Sequence, residues 1–160
     1  MKIPIVINRT QNTSFEIIER KVENSLSRFI SNDSVLISYA VKEEALSHRI
    51  ACYLQNTFSN LDVDCEYNKF GENDKMLDGK GIRPDIIIHK RGDQIHNLLA
   101  IEVKKKLNPS NNDITKLKGL TNQRGKYKYA YGLFLGFSKN MKGIMVYYHN
   151  RQEIKRVAIN

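Results

Sequence analysis

"RPDIIIHKRGDQIHNLLAIEVKKK", residues 83–106, sets charged side chains inside two stretches that otherwise read as buried strands. Asp85 precedes an Ile-Ile-Ile run, and Glu102 and Lys104 interrupt Leu-Leu-Ala-Ile-x-Val. A charge is costly to bury unless something compensates it. "RGDQ" is turn material, so the two stretches are expected to form an antiparallel hairpin centred between Asp93 and Gln94. That register places Asp85 directly opposite Glu102, with Cβ atoms about 5 Å apart on one face. Lys104, two residues beyond Glu102, projects from the same face. Ile86, Ile88, Leu99, Ile101 and Val103 take the other face and are expected to pack under a helix.

Two adjacent carboxylates repel unless a proton or a cation sits between them. Lys104 offers one positive charge. A hard divalent ion offers two, and it favours oxygen donors completed by water and substrate phosphate. On the triplet alone, a buried Asp–Lys–Glu network and a metal–phosphate site are both open.

The elements around this hairpin are legible from their periods. Phe15, Ile18, Val22, Leu26 and Phe29 or Ile30 repeat at helical spacing over 14–30, with Thr13 or Ser14 as cap and "SNDS" as the break. A second helix over about 40–58 carries Val41, Leu46, Ile50, Tyr53, Leu54 and Phe58 on one stripe. "LDVDCEYN" alternates as a strand, with Leu61, Val63, Cys65 and Tyr67 on one face. The polar, Gly-rich 69–82 reads as a mobile loop. After the hairpin, "NPSNND" caps a helix of about 112–124; "YAYGLFLGF" and "GIMVYYH" read as strands, and "IKRVAI" as an edge strand. The order implies an α/β sandwich around a central sheet.

Composition bounds the partners. With 160 residues the chain fits one domain, and its formal charge of +9 suits a polyanion, nucleic acid before an anionic membrane. Cys52 and Cys65 lack metal or redox spacing and read as buried free thiols of a reducing cytosol. The N-terminal stretch has no long apolar core or cleavage site, so no signal peptide is expected, and no apolar run reaches membrane-spanning length. A soluble, cytoplasmic protein with no membrane partner is the expectation. There is no P-loop and no Ser or Cys nucleophile arrangement. His48, His89, His96 and His149 are scattered; His89 shares the parity of Asp85 and could line the site, yet no pair has metal-ligand spacing and no His-based mechanism is expected.

Pro84-Asp85 followed by Glu102-Val103-Lys104 on the next strand resembles the signature of the PD-(D/E)XK nuclease superfamily. A helix with an acidic residue upstream, and a helix plus strand downstream, extend the resemblance over about residues 41–137. It implies a restriction-endonuclease-like α-β-β-β-α-β core, a mixed central sheet flanked by helices, within a single nuclease-like domain. Residues 1–38 would add an N-terminal helical extension, and residues 138–160 the C-terminal strands.

The resemblance also implies a chemistry. Asp85 and Glu102 would bind Mg²⁺ or Mn²⁺ together with the main-chain carbonyl of Val103. Lys104 would orient or activate the attacking water and stabilise charge on phosphorus; it needs a depressed pKa to be a true base and otherwise acts electrostatically. Glu43 would join them from the first core helix, as metal ligand and site residue, with Glu44 the runner-up and a solvated first-turn acid the plain alternative. Glu66 is a further acid that could reach the patch, with an exposed strand residue the slightly favoured alternative. Lys116 and Arg124, on the third helix, are candidate phosphate contacts, although a solvated helix face is the commoner explanation for each singly. The implied activity is metal-dependent endonucleolytic hydrolysis of nucleic acid, DNA first, leaving a 5′-phosphate, with a homodimer or a partner protein left open. The competing readings are a nucleic-acid-binding protein without catalysis and a subunit of a larger defence or restriction complex. The intact Asp, Glu, Lys set argues against the first of these.

Overall fold

Ile86, Ile87 and Ile88 have no solvent exposure, so the strand that carries them is covered on both faces. The structure, a computed structural model, describes residues 4–8 and 11–160, with side chains from Ser14 onward. From the N-terminus, β1 (Pro4–Asn8) and β2 (Gln11–Ser14) pair as an antiparallel hairpin ahead of helix α1 (Phe15–Asp33). The predicted N-terminal extension is therefore a hairpin plus a helix. The single turn α2 (Val35–Ser38) leads into α3 (Glu43–Thr57) and then β3 (Asp62–Cys65). Two small hairpins follow, β4 (Lys69–Phe70) with β5 (Asn73–Asp74), and β6 (Met76–Leu77) with β7 (Lys80–Gly81). The remainder is β8 (Ile86–His89), β9 (Leu99–Lys104), α4 (Asn111–Leu120), β10 (Tyr131–Phe137), β11 (Gly143–His149) and β12 (Gln152–Ile159).

The main sheet has six strands in the order β12-β11-β10-β9-β8-β3. Only β9 and β10 are parallel, joined through α4 as a parallel pair requires; the other neighbours are antiparallel. The α3-β3-β8-β9-α4-β10 order is the predicted α-β-β-β-α-β core, and "IKRVAI" lies in the edge strand β12. Residues Ile86, Ile88, Leu99, Ile101 and Val103 pack with α1 and α3 as expected, whereas Ile87 and Ala100 face Leu120, Tyr127 and Tyr129 on the other side. The sheet is thus sandwiched, with α1 and α3 beneath and α4 and the 69–82 segment above.

Four local expectations are corrected. Helix α1 runs through Asn32 and Asp33 instead of breaking at Ser31, because Asp33 accepts bonds from Tyr53 Oη at 2.6 Å and Arg49 Nε at 2.7 Å on α3. Tyr67 does not share the face of Cys65: Glu66 has φ +54°, which breaks the alternation, and Tyr67 packs with the Ile87 cluster. The 69–82 segment is folded onto the sheet. Its anchor is the buried Lys75, which donates to Tyr67 O at 3.0 Å and to Lys69 O and lies 4.6 Å from the Tyr67 ring centroid. Tyr127 adds a second tie, donating to Met76 O at 3.0 Å. Finally, α4 stops at Leu120, four residues short of Arg124, after starting at a Ser110–Asp113 capping box.

Both cysteines are free and half-buried, where full burial was expected, and burial pushes the Cys65 thiol up to about 11. Gly136 shapes the exit from β9. A Cβ there would stand 2.2 Å from Lys106 O, so glycine lets the chain leaving β9 cross closely over β10. Among the described residues, no helix is long and apolar enough to cross a membrane.

Candidate active site

The β8–β9 register is Ile86↔Ile101, Ile87↔Ala100 and Ile88↔Leu99, which continued by one step sets Asp85 opposite Glu102 as the sequence predicts. Asp85 Oδ2 accepts the Val103 N–H at 2.8 Å, so the acid is locked to the neighbouring strand. Lys104 Nζ stands 3.5 Å from Glu43 Oε2, 3.8 Å from Asp85 Oδ2 and 4.0 Å from Glu102 Oε2. The first turn of α3 supplies Glu43, whose Oε1 also accepts the Lys105 N–H at 3.2 Å. Glu44, one residue on, is exposed. Between the two, the structure brings Glu43 to the site.

Lys116 is placed differently from its sequence reading. Its Nζ donates to Glu102 Oε2 at 2.9 Å, so α4 delivers this cation to the floor of the site rather than to an outer helix face. Arg124 is exposed in the turn beyond α4, its N–H on Asn122 Oδ1 at 3.0 Å, and no contact links it to the site. His89 does not line the site either: its Nε2 lies 2.8 Å from Asp64 Oδ2 at the far end of β8. Glu66 reaches the cleft wall, but its carboxylate is paired with Arg83 Nε at 2.9 Å. Arg83, Lys80 and Asn112 line the same cleft of about 470 Å³ and were not singled out from sequence. Arg83 sits two residues before Asp85, and that proximity was the available signal.

The electrostatics are unbalanced. Glu102 has no solvent exposure, and its Oε1 is buried without a hydrogen-bond partner. Burial first, and the Asp85 charge second, push the Glu102 carboxyl up to about 7, against the opposing pull of Lys116 and Lys104. Burial also raises Asp85, offset in part by the Val103 N–H and the two ammoniums. For Lys104, burial works against the charge, but Asp85, Glu102 and Glu43 outweigh it and the pKa is raised. The three neighbouring carboxylates therefore favour the ammonium form of Lys104.

Three carboxylates face two ammoniums here, and one buried carboxylate oxygen is left over. That leftover oxygen, with Asp85 beside it, fits a hard divalent cation held by two carboxylates and main-chain or water oxygens. Among the described residues, no three Asp, Glu, His or Cys side chains gather closely enough to enclose an ion. Glu43 is instead engaged by Lys104 and the Lys105 N–H, at the border of the set.

No protein-family model matches this chain, and no curated protein matches it. Among solved structures, it is similar to a chain of the cryo-EM structure of the DrdV–DNA complex, at 16% identity and a TM-score of 0.46. The likeness covers 87% of this chain and 12% of that one, and at that level it assigns no residue a role.

Proposed function

We propose that this protein is a divalent-metal-dependent endonuclease of the PD-(D/E)XK type, hydrolysing phosphodiester bonds in nucleic acid, with DNA as the first substrate. The observation that carries the reading is the Asp85–Glu102 pair: two facing carboxylates, both raised in pKa, with one buried oxygen unpaired and Lys104 alongside. A structural ion-pair network would be expected to close its own charge and hydrogen bonds. This one is completed by a cation and a phosphate.

Asp85, Glu102 and the Val103 carbonyl would hold Mg²⁺ or Mn²⁺. When bound, such an ion supplies neutralisation of phosphate charge and a water of lowered pKa. The protein's own groups do the rest. Lys104 stabilises the charge that develops on the phosphoryl oxygens and orients the water, a role suited to its raised pKa. Glu43 holds Lys104 in place and would add a carboxylate beside the ion. Lys116 keeps Glu102 ionisable at the bottom of the cleft. The +9 charge draws the polyanion in, with the salt dependence that implies.

A non-catalytic nucleic-acid-binding module, alone or as a subunit of a larger complex, is favoured by one observation: Lys116 already neutralises one Glu102 oxygen. The two readings part in a single gel. Supercoiled plasmid, linear duplex, single-stranded DNA and RNA are incubated with Mg²⁺, Mn²⁺ or EDTA, using wild type and Lys104→Ala. Metal-dependent cutting by wild type alone, leaving 5′-phosphate ends, is the expected result. Binding without cutting in any metal would establish the module instead.

A further inference from the structure

A second cleft, of about 270 Å³, opens beside the site on the α3 side of the sheet. Its floor is apolar, made by Ile37, Leu46 and Phe137, and Lys105 and Lys139 stand at its rim. Its wall is the backbone at Ala40, where φ is +49° in the left-handed turn that ends α2, closed by Ala40 N–H to Ile37 O at 2.9 Å and Val41 N–H to Leu36 O at 3.2 Å. Lys105 Nζ donates to Ala40 O at 3.3 Å while the Lys105 N–H donates to Glu43. The cleft is thereby tied to the same Glu43 that contacts Lys104.

The residue before this wall is an anomaly. Of the eight tyrosines, Tyr39 alone is exposed, at 77%, and it immediately precedes Ala40. Lys42, three residues on, and the cleft-lining Lys105 and Lys139 are exposed as well. An exposed aromatic ring among lysines, next to an apolar slot, is the chemistry that binds unpaired nucleotides: base faces stack on rings while ammoniums follow the phosphates. The volume lies just under the roughly 300–1,000 Å³ of small-molecule sites, which suits a single heterocycle.

We propose that this cleft is a nucleotide subsite that takes one unstacked base next to the scissile phosphate. The base lies over Ile37, Leu46 and Phe137 with Tyr39 as its stacking platform, and the flanking phosphates sit on Lys105 and Lys139. The inference rests on the nuclease reading for its position beside a scissile bond. It deepens that reading by naming the substrate class: single-stranded or locally opened nucleic acid, in preference to closed duplex.

The test is binding of fluorescein-labelled single-stranded DNA by anisotropy in EDTA, where no metal-dependent cutting occurs. One nucleotide at a time is replaced by an abasic residue. One abasic position is expected to weaken binding roughly 5- to 100-fold, the range of a lost base–aromatic stack. Tyr39→Ala should lower affinity for the intact strand by a similar factor and abolish that positional dependence, whereas Tyr39→Phe retains it. Lys139→Ala should flatten the salt dependence, and Lys128→Ala, exposed at the opposite end of the sheet, should not. The same oligonucleotide should bind more tightly than its blunt duplex. Affinity indifferent to every abasic position would leave a phosphate-only surface and overturn the subsite, even if plasmid were cut with Mg²⁺. Position-dependent binding with no cutting in any metal would keep the subsite and overturn the nuclease reading. No binding of any oligonucleotide would overturn the subsite, and the nuclease reading would then stand or fall on the plasmid gel.

Discussion

Strand β8 has an acidic cluster at each end, and the two are built on opposite terms. At its C-terminal end, Asp64 receives Arg91 through Nε at 2.9 Å and Nη2 at 2.5 Å, with His89 Nε2 at 2.8 Å. The Arg91 bonds hold the Asp64 carboxyl below the usual range. At the N-terminal end, Asp85 and Glu102 are raised, mainly by burial, and a Glu102 oxygen has no partner. The first sets one aspartate against an arginine and a histidine, and the second sets three carboxylates against two lysines. The difference is that one cluster has enough donors at the surface, whereas the other is buried with too few. Ion pairing can account for the first by itself. The second leaves a buried carboxylate oxygen unpaired, which is where the proposed cation would bind.

That contrast can be broken or sharpened by substitution. Lys104→Ala and Asp85→Asn are expected to lower the rate of Mg²⁺-dependent cleavage by roughly 10²–10³-fold or more, measured as single-turnover rates on plasmid. Asp64→Asn should leave that rate within about twofold, since a surface ion pair is energetically minor. Equal losses at both ends would erase the distinction.

Next in size is Lys75, a buried cation that belongs to neither cluster and whose pKa burial lowers to about 8. Lys75→Ala strands two carbonyl acceptors and should cost about 2–4 kcal/mol in urea unfolding. Faster amide exchange is expected over 67–82, with β8 and β9 still protected. Uniform loosening would mean that this segment is not separately anchored.

The pH dependence originates in Glu102. Its folded pKa, about 7, lies above the ordinary 4.5, so the folded state holds the proton more tightly than the unfolded one. The stability tied to this group is full below about 4.5 and is lost as pH rises through about 7. Ion-free wild type should lose about 1–3 kcal/mol more than Glu102→Gln between pH 5 and 8, and Mg²⁺ should restore most of it at pH 8. Parallel pH profiles for the two proteins would show that the Glu102 charge is not strained. The smallest effect is stability in Asp64→Asn, about 1 kcal/mol lower and fading with added salt.

The site hairpin was legible because its information is local. The turn material centred between Asp93 and Gln94 and the Ile-Ile-Ile run set the register, and the register alone pairs Asp85 with Glu102. Glu43 was legible from its inward stripe on α3. Lys116 was visible as a helical lysine but not as the partner of Glu102, because that contact depends on how α4 crosses the sheet after β9. Arg124 was assigned to a helix that ends at Leu120, where the chain turns away. The 69–82 segment misled because its polar composition conceals one lysine that is buried. Tyr67 misled because a single positive φ at Glu66 reverses the facing of the next side chain.

The most direct test of the unbalanced-charge account is a Mn²⁺ titration at pH 8, monitored by the loss of the free-ion electron paramagnetic resonance signal. The wild type should bind one Mn²⁺ per chain, displaceable by Mg²⁺; Glu102→Gln should lose it, and Asp64→Asn should keep it. A wild type that leaves the free-ion signal untouched, or a Glu102→Gln variant that binds as well as wild type, would contradict the account.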